Sequence, residues 1–257
     1  MGGKRKRKVN ARMIKELPQL PLTGALNVNV FVASQSGTLL QKNPKDNPHI
    51  LRSIAHEYHF LGYTDRGGTF RKRSPQEQNL FCRYCASHGL RVLQPIFVDD
   101  RGRNHYPFLN NALTLNKYLP NVPTLEAQII VYQLFEDLRK AHRKGIVYGD
   151  RWSENILVVP NMGLVHIDFD IEISGKPAIE LEVAQAVYYS LCGGKDKVLS
   201  LLGAILGKST NWFDFKMVEL FLSRHAIHFR NSPTYGGVEK ETQALIEIAN
   251  SYRNASQ

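Results

Sequence analysis

The stretch KGIVYGDRWSENILVV, Lys144–Val159, together with LVHIDFD, Leu164–Asp170, decides how this chain is read. Asp150 is followed five residues later by Asn155, and Asn155 leads straight into the apolar run ILVV. A second apolar run, LVHI, then ends at Asp168, thirteen residues after Asn155. The PNMG between the two runs is a turn signal, so the segment is expected to be a small hairpin. Adjacent antiparallel strands lie about 4.8 Å apart, so polar residues at one end of the hairpin converge on a small volume. Two carboxylates and an amide oxygen there suit a hard cation such as Mg²⁺, which completes its shell with phosphate oxygens and water. One of the carboxylates can instead face a hydroxyl and orient it for in-line attack.

Working outward, TLEAQIIVYQLFEDLRKAHRKG is expected to be a helix. Thr124 is its expected cap, Leu125, Ile129, Tyr132, Leu138 and Ala141 form the apolar stripe, and Ile130, Leu134 and Phe135 widen it. Gly145 follows a basic last turn. Further helices are expected at about 179–191, 196–206, 212–224 and 237–252. Toward the N-terminus, LNVNVFVA (26–33) and GTLLQK (37–42) read as a β-hairpin, and RVLQPIFVD with NHYPFL, flanking DRGR, as a second. PQEQNLFCRYCASHG (75–89) reads as a helix with Ser74 as N-cap, Pro75 in first position and Gly89 at its end. Residues 43–73 are polar, basic and without a clear period. The expected architecture is α+β, with a smaller β-rich lobe over 21–110, a hinge near Asn110–Ala112, and a larger helical lobe over 111–257. Residues 1–20 are expected to be a disordered basic tail.

Asp150-Arg151-Trp152-Ser153-Glu154-Asn155 and Asp168-Phe169-Asp170 resemble the catalytic loop and metal-binding motif of the protein-kinase-like superfamily. The spacing matches, as do the preceding helix and the strands between. The resemblance implies a bilobal kinase-like fold and an ATP- and Mg²⁺-dependent phosphotransferase. Its acceptor would be a hydroxyl of a protein or small molecule. It implies that Asp150 orients that hydroxyl and that Asn155 and Asp168 hold Mg²⁺. Only IEISGKPAI separates Asp170 from Glu180, and no Ala-Pro-Glu follows, so the chain looks like the compact atypical kinases. The RIO kinases, the small kinase of the tRNA threonylcarbamoyl complex, the lipopolysaccharide-core sugar kinases and the aminoglycoside phosphotransferases are similar. Tyr148 stands where several of these have His, and Trp152 where protein kinases have a phosphate-contacting Lys. Glu180 stands where these families place an Asp that braces the catalytic loop. In the N-lobe the resemblance implies Gly37, in ASQSGT, as the phosphate-covering turn. It implies Lys42 as the strand lysine and Glu77 as its helical partner, with Lys72 and Glu57 as rivals. The competing reading is a catalytically inert kinase-like nucleotide-binding module that acts by binding a partner or RNA.

The remaining features bound the function. The 257-residue chain carries a formal charge of +10, and seven basic residues with no acid fall within residues 1–15, leaving +3 for the rest. The tail is thus expected to be a solvated segment, a weak electrostatic contact for nucleic acid, or a nuclear address. No apolar run is long enough for a membrane span. Three cysteines make no disulfide framework, which suits a cytoplasmic protein, or a nuclear one if the chain is eukaryotic. Cys82 and Cys85 with His56 and His59 could make a zinc site, but two cysteines within a helix suit a core better. Arg71-Lys72-Arg73 is a basic turn or a polyanion contact, and His166 is expected to be structural.

Overall fold

The computed structural model describes residues 15–16, 22–23, 26–34, 37–45, 47–209 and 211–255. Most of the expected basic tail therefore lies outside the described residues. Lys15–Glu16 (β1) pairs antiparallel with one part of Asn27–Ser34 (β3), and Leu22–Thr23 (β2) pairs with a different part of it. The hairpin of β3 (Asn27–Ser34) and β4 (Gly37–Pro44) is the centre of the N-terminal sheet. Its period-2 alternation buries Val32 and Leu39 beneath it. A second hairpin, β6 (Phe97–Val98) and β7 (Asn104–Pro107), continues the sheet in the order β1-β3-β4-β7-β6. Asp99 closes its turn by accepting from the backbone N–H groups of Arg101 and Arg103.

Between β4 and β7 lies the region the sequence left unassigned. Asn47 caps α1 (Pro48–Phe60), its side chain accepting from His49 N at 3.2 Å, and Pro48 starts the helix. After α1 the chain runs through β5 (Thr69–Lys72) into α2 (Pro75–Ser87). Ser74 and Glu77 form a reciprocal capping box at the start of α2. Cys82 and Cys85 are buried in the core on α2, and no group of three or more metal-binding side chains occurs among the described residues. The basic stretch 71–73 is not a solvated turn. Arg71 pairs with Glu77 and Glu172, and Arg73 is buried beneath Phe81 with its guanidinium carbon 4.1 Å from the ring centroid.

The C-terminal lobe is helical. After β8 (Leu113–Thr114) and the short α3 (Leu115–Tyr118), α4 spans Thr124–His142. Its buried face is Ala127, Ile130, Val131, Leu134, Phe135, Leu138 and Ala141. Leu125, Ile129 and Tyr132, expected in the core stripe, face solvent. Thr124 is the first helical residue rather than the cap, a place taken by Pro123. The hairpin β9 (Ile156–Val159) and β10 (Gly163–His166) forms as expected, and β8 pairs with the outer side of β9. β11 (Ile171–Ser174) follows and pairs with β5, so the segment after Asp170 is tied directly to the chain preceding α2. Helix α5 (Ala178–Gly194) is buried over nearly its whole circumference and is the centre of this lobe. Helices α6 (Asp196–Lys208), α7 (Phe215–His228) and α8 (Glu239–Asn254) pack around it. The fold is α+β and bilobal, with a small antiparallel sheet above a helical lobe. No helix among the described residues is long and apolar enough to cross a membrane.

Candidate active site

Asp150 is placed by the residues on either side of it. Gly149 has φ +111, and a Cβ there would lie 2.1 Å from Ile171 O, so this position admits only glycine. The Gly149 N–H donates to Glu182 Oε1 at 2.8 Å, and Arg151 N to Gln185 Oε1 at 3.1 Å. Both acceptors lie on α5, are fully buried, and stand one helical turn apart. Gln185 Nε2 also donates to Asp150 Oδ1 at 3.0 Å, and the Tyr58 hydroxyl of α1 reaches the same oxygen at 3.5 Å. The loop brace expected of Glu180 is thus carried by Glu182. Glu180 instead accepts from Asp214 N at 3.1 Å.

Arg151, fully buried, ties the loop to the second motif. Its guanidinium donates to the carbonyls of Asn155, Ile167 and Asp168, the last at 2.9 Å. Asn155 donates to Asp150 O at 2.9 Å, and no described residue donates to its amide oxygen. Tyr148 stacks on His166 with centroids 4.4 Å apart, and Phe169 packs beside Tyr148. Burial holds His166 well below the usual imidazole range, so it is neutral and structural.

Asp168 adopts φ +56, a left-handed conformation that Asp tolerates better than most residues. Lys42 Nζ on β4 lies 2.7 Å from Asp168 Oδ1 and 2.6 Å from Asp170 Oδ1. Asn27 donates to the other Asp170 oxygen. Burial opposes the charge on Lys42, but the two carboxylates outweigh it and raise the ammonium above its usual range. Burial likewise opposes ionisation of Asp168, yet Lys42 holds its carboxyl below the usual value. Asp170 is pushed up to about 6 by burial and by the charge of Asp168, since two acids share one cation. Desolvation in the cleft raises Asp150 to about 7.

The expected partner of Lys42 is displaced by one position. Glu77 is exposed, bonds Arg71 at 2.7 Å and Ser74 N at 2.7 Å, and makes no contact with Lys42. Its carboxyl is pulled to about 2, first by the Ser74 backbone and then by Arg71. Gln78, one residue on and buried against the sheet, presents Oε1 3.5 Å from Lys42 Nζ. The rivals also go elsewhere: Lys72 donates to Lys45 O, and Glu57, on α1, makes no ion pair with Lys42. Gly37 has φ +116 at the β3–β4 turn and does not line the cavity described next, and residues 35 and 36 of that turn lie outside the described residues.

Asp150, Asn155, Asp168 and Asp170 line one cavity of about 500 Å³ between the lobes. Leu26 and Asn27 come from the sheet, Ile50, Ile54, Glu57 and Tyr58 from α1, and Trp152 and Tyr235 from the helical lobe. Trp152 stacks on Tyr189 at 4.9 Å. A larger cavity of about 670 Å³, lined by Phe135, His142 and Trp212 among others, is remote from these acids. The donor set fits Mg²⁺ carried by phosphates: Asp168 and the open Asn155 amide oxygen offer two hard ligands, too few for a self-contained protein site. The sequence pattern gives Asp170 no role of its own and does not single out Gln78, Glu182, Gln185 or α1. The apolar spacing of Ile50, Leu51, Ile54 and Tyr58 was the available signal for α1.

No family model matches the sequence, and no curated protein matches it either. Among solved structures, the kinase domain of PknI from Mycobacterium tuberculosis is similar over 88% of this chain and 92% of that chain, at 12% identity and a TM-score of 0.41. Likeness at that level adds nothing to the architecture already described.

Proposed function

We propose that the chain is an ATP- and Mg²⁺-dependent phosphotransferase that passes the γ-phosphoryl group to a hydroxyl of a protein or small molecule. The observation that supports this most is the meeting of Asp150, Asn155 and Asp168 at one interlobe cavity, with Lys42 of the sheet paired to Asp168 at its edge, from elements far apart in sequence. When bound, Mg·ATP supplies the electrophilic phosphorus and a leaving group whose charge the metal neutralises. Asp168 and Asn155 would hold the metal, and Lys42 would turn from the two aspartates toward the phosphates. Asp150, held by Gln185 and the α5 brace, orients the acceptor hydroxyl and takes its proton as the new P–O bond forms and ADP departs. Its raised carboxyl, at about 7, suits a base working near neutral pH.

The competing reading, an inert nucleotide-binding module acting through a partner, draws on one observation. Lys42 is already paired with both Asp168 and Asp170, so the proposed metal ligand is engaged. Incubation with γ-labelled ATP, Mg²⁺ and candidate acceptors separates the two. Transfer by the wild type that is lost in Asp168→Ala supports the enzyme. Nucleotide binding without hydrolysis or transfer supports the module.

A further inference from the structure

Helix α1 brings one acid to the cavity that the chemistry above does not use. Glu57 is 8% exposed and its Oε1 has no hydrogen-bond partner among the described residues. Glu57, Asp150, Glu154, Asp168 and Asp170 all line the cavity, and among the described residues no Lys, Arg or His lines it. The other four acids are matched. Lys42 serves Asp168 and Asp170, Gln185 serves Asp150, and Asn116 and Tyr235 serve Glu154. Burial, and then the charge of Asp150, push the Glu57 carboxyl up to about 8.

An enclosed carboxyl without a partner is costly, and a ligand that supplies the partner recovers that cost. Tyr58, the next residue of α1, reaches Asp150 Oδ1 at 3.5 Å, and Glu57 lines the cavity with Asp150 while Lys42 does not, so Glu57 belongs to the hydroxyl end. Tyr58, Trp152 and Tyr235 stand around the same space, and aromatic faces beside a carboxylate favour an alkylammonium. An anionic group there could not supply the missing partner and would disfavour ionisation of Glu57 and Asp150 further.

We infer that Glu57 is a specificity residue that binds an ammonium group on a small hydroxyl compound whose hydroxyl reaches Asp150. Calling that compound the acceptor rests on the phosphotransfer reading, whereas the cation site itself does not.

The test uses the full chain and two isosteric probe pairs, choline against 3,3-dimethylbutan-1-ol and glucosamine against glucose. Dissociation constants are measured calorimetrically at constant ionic strength, without nucleotide. A charge-assisted contact to a desolvated carboxylate predicts that at least one cationic probe binds about tenfold or more tighter than its neutral partner. Glu57→Gln, which keeps the shape, should abolish the preference, and His56→Gln, an exposed change on the same helix, should keep it. Equal binding within both pairs, no binding by either ammonium probe, or a preference intact in Glu57→Gln overturns the inference. ADP release with Mg·ATP then separates the two levels. A Glu57-dependent preference with no ADP formed from any probe sinks the identification of the ammonium compound as acceptor and leaves the cation site. ADP formed equally from cationic and neutral probes sinks the cation site and leaves the phosphotransfer reading.

Discussion

Glu182→Gln is a one-atom change whose outcome follows from a buried hydrogen-bond chain. Trp212 Nε1, which can only donate, lies 2.9 Å from His142 Nδ1, so that nitrogen must be the acceptor. The His142 proton is therefore on Nε2, and it donates to Glu182 Oε2 at 2.6 Å, while Glu182 Oε1 accepts from Gly149 N at 2.8 Å. Glutamine at 182 can satisfy Gly149 only by turning its amide NH₂ toward the His142 N–H, donor against donor. His142 cannot change tautomer to relieve this, because Trp212 fixes the other nitrogen. Removing a buried charge works the other way but is the smaller effect, since both carboxylate oxygens already have donors. The expected loss is about 1–3 kcal/mol. Adding Trp212→Phe frees Nδ1 to carry the proton, so His142 Nε2 can accept from the glutamine. Although Trp212→Phe should itself cost about 1 kcal/mol, the double mutant should be more stable than the sum of the singles predicts, by about 1 kcal/mol. Urea denaturation of the four proteins at neutral pH gives the cycle. Additivity to within about 0.5 kcal/mol would show that Trp212 is not coupled through His142 and Glu182 to the loop that carries Asp150.

Other outcomes follow from single contacts. Gly149→Ala forces a Cβ to 2.1 Å from Ile171 O at φ +111, so the loop must shift, and thermal denaturation should show a marked loss of stability together with loss of any transfer activity. If Asp150 is the base, its raised carboxyl near 7 means that the active, ionised form accumulates as pH rises. The transfer rate should climb between about pH 6 and 8 and level off above, and a rate flat across that window would remove Asp150 from the role. Trp152 lines the cavity whereas Trp212 packs against Phe135 and His142, so Mg·ATP should change the intrinsic fluorescence of the wild type and not of Trp152→Phe. A signal carried by Trp212 would contradict that placement.

The sequence showed the hairpin β9–β10, the helix α2 and the spacing of Asp150, Asn155 and Asp168 because each is locally encoded. Turn chemistry, a capping box and short apolar runs need no tertiary information. What it hid depended on helix rotation. Apolar residues extend around more than half of α4, so the period alone could not say that Ile130 and Leu134 face inward while Leu125 and Ile129 face out. On α2, neighbouring positions point about 100° apart, and only the sheet above decides that Gln78 rather than Glu77 meets Lys42. On α5, Glu182 rather than Glu180 faces the loop for the same reason. Residues 43–73 escaped because glycines and basic residues surround the short period of α1. The value of that helix to the cavity appears only when Tyr58 and Glu57 meet Asp150 from a position 92 residues earlier in the chain, as the Tyr58 contact shows.

The most direct test of the phosphotransfer reading is paired measurement of Mg·ATP binding and γ-phosphate transfer in wild type, Asp168→Ala and Asp150→Asn. Asp168→Ala should lose Mg²⁺-dependent nucleotide binding and transfer while remaining folded by circular dichroism. Asp150→Asn should bind Mg·ATP nearly as the wild type does and fall mainly in transfer rate, because it removes a positioning group and not a metal ligand. Wild-type transfer retained in Asp168→Ala would contradict the assignment of the site. Equal loss of nucleotide binding in both variants would contradict the separate roles given to the two aspartates.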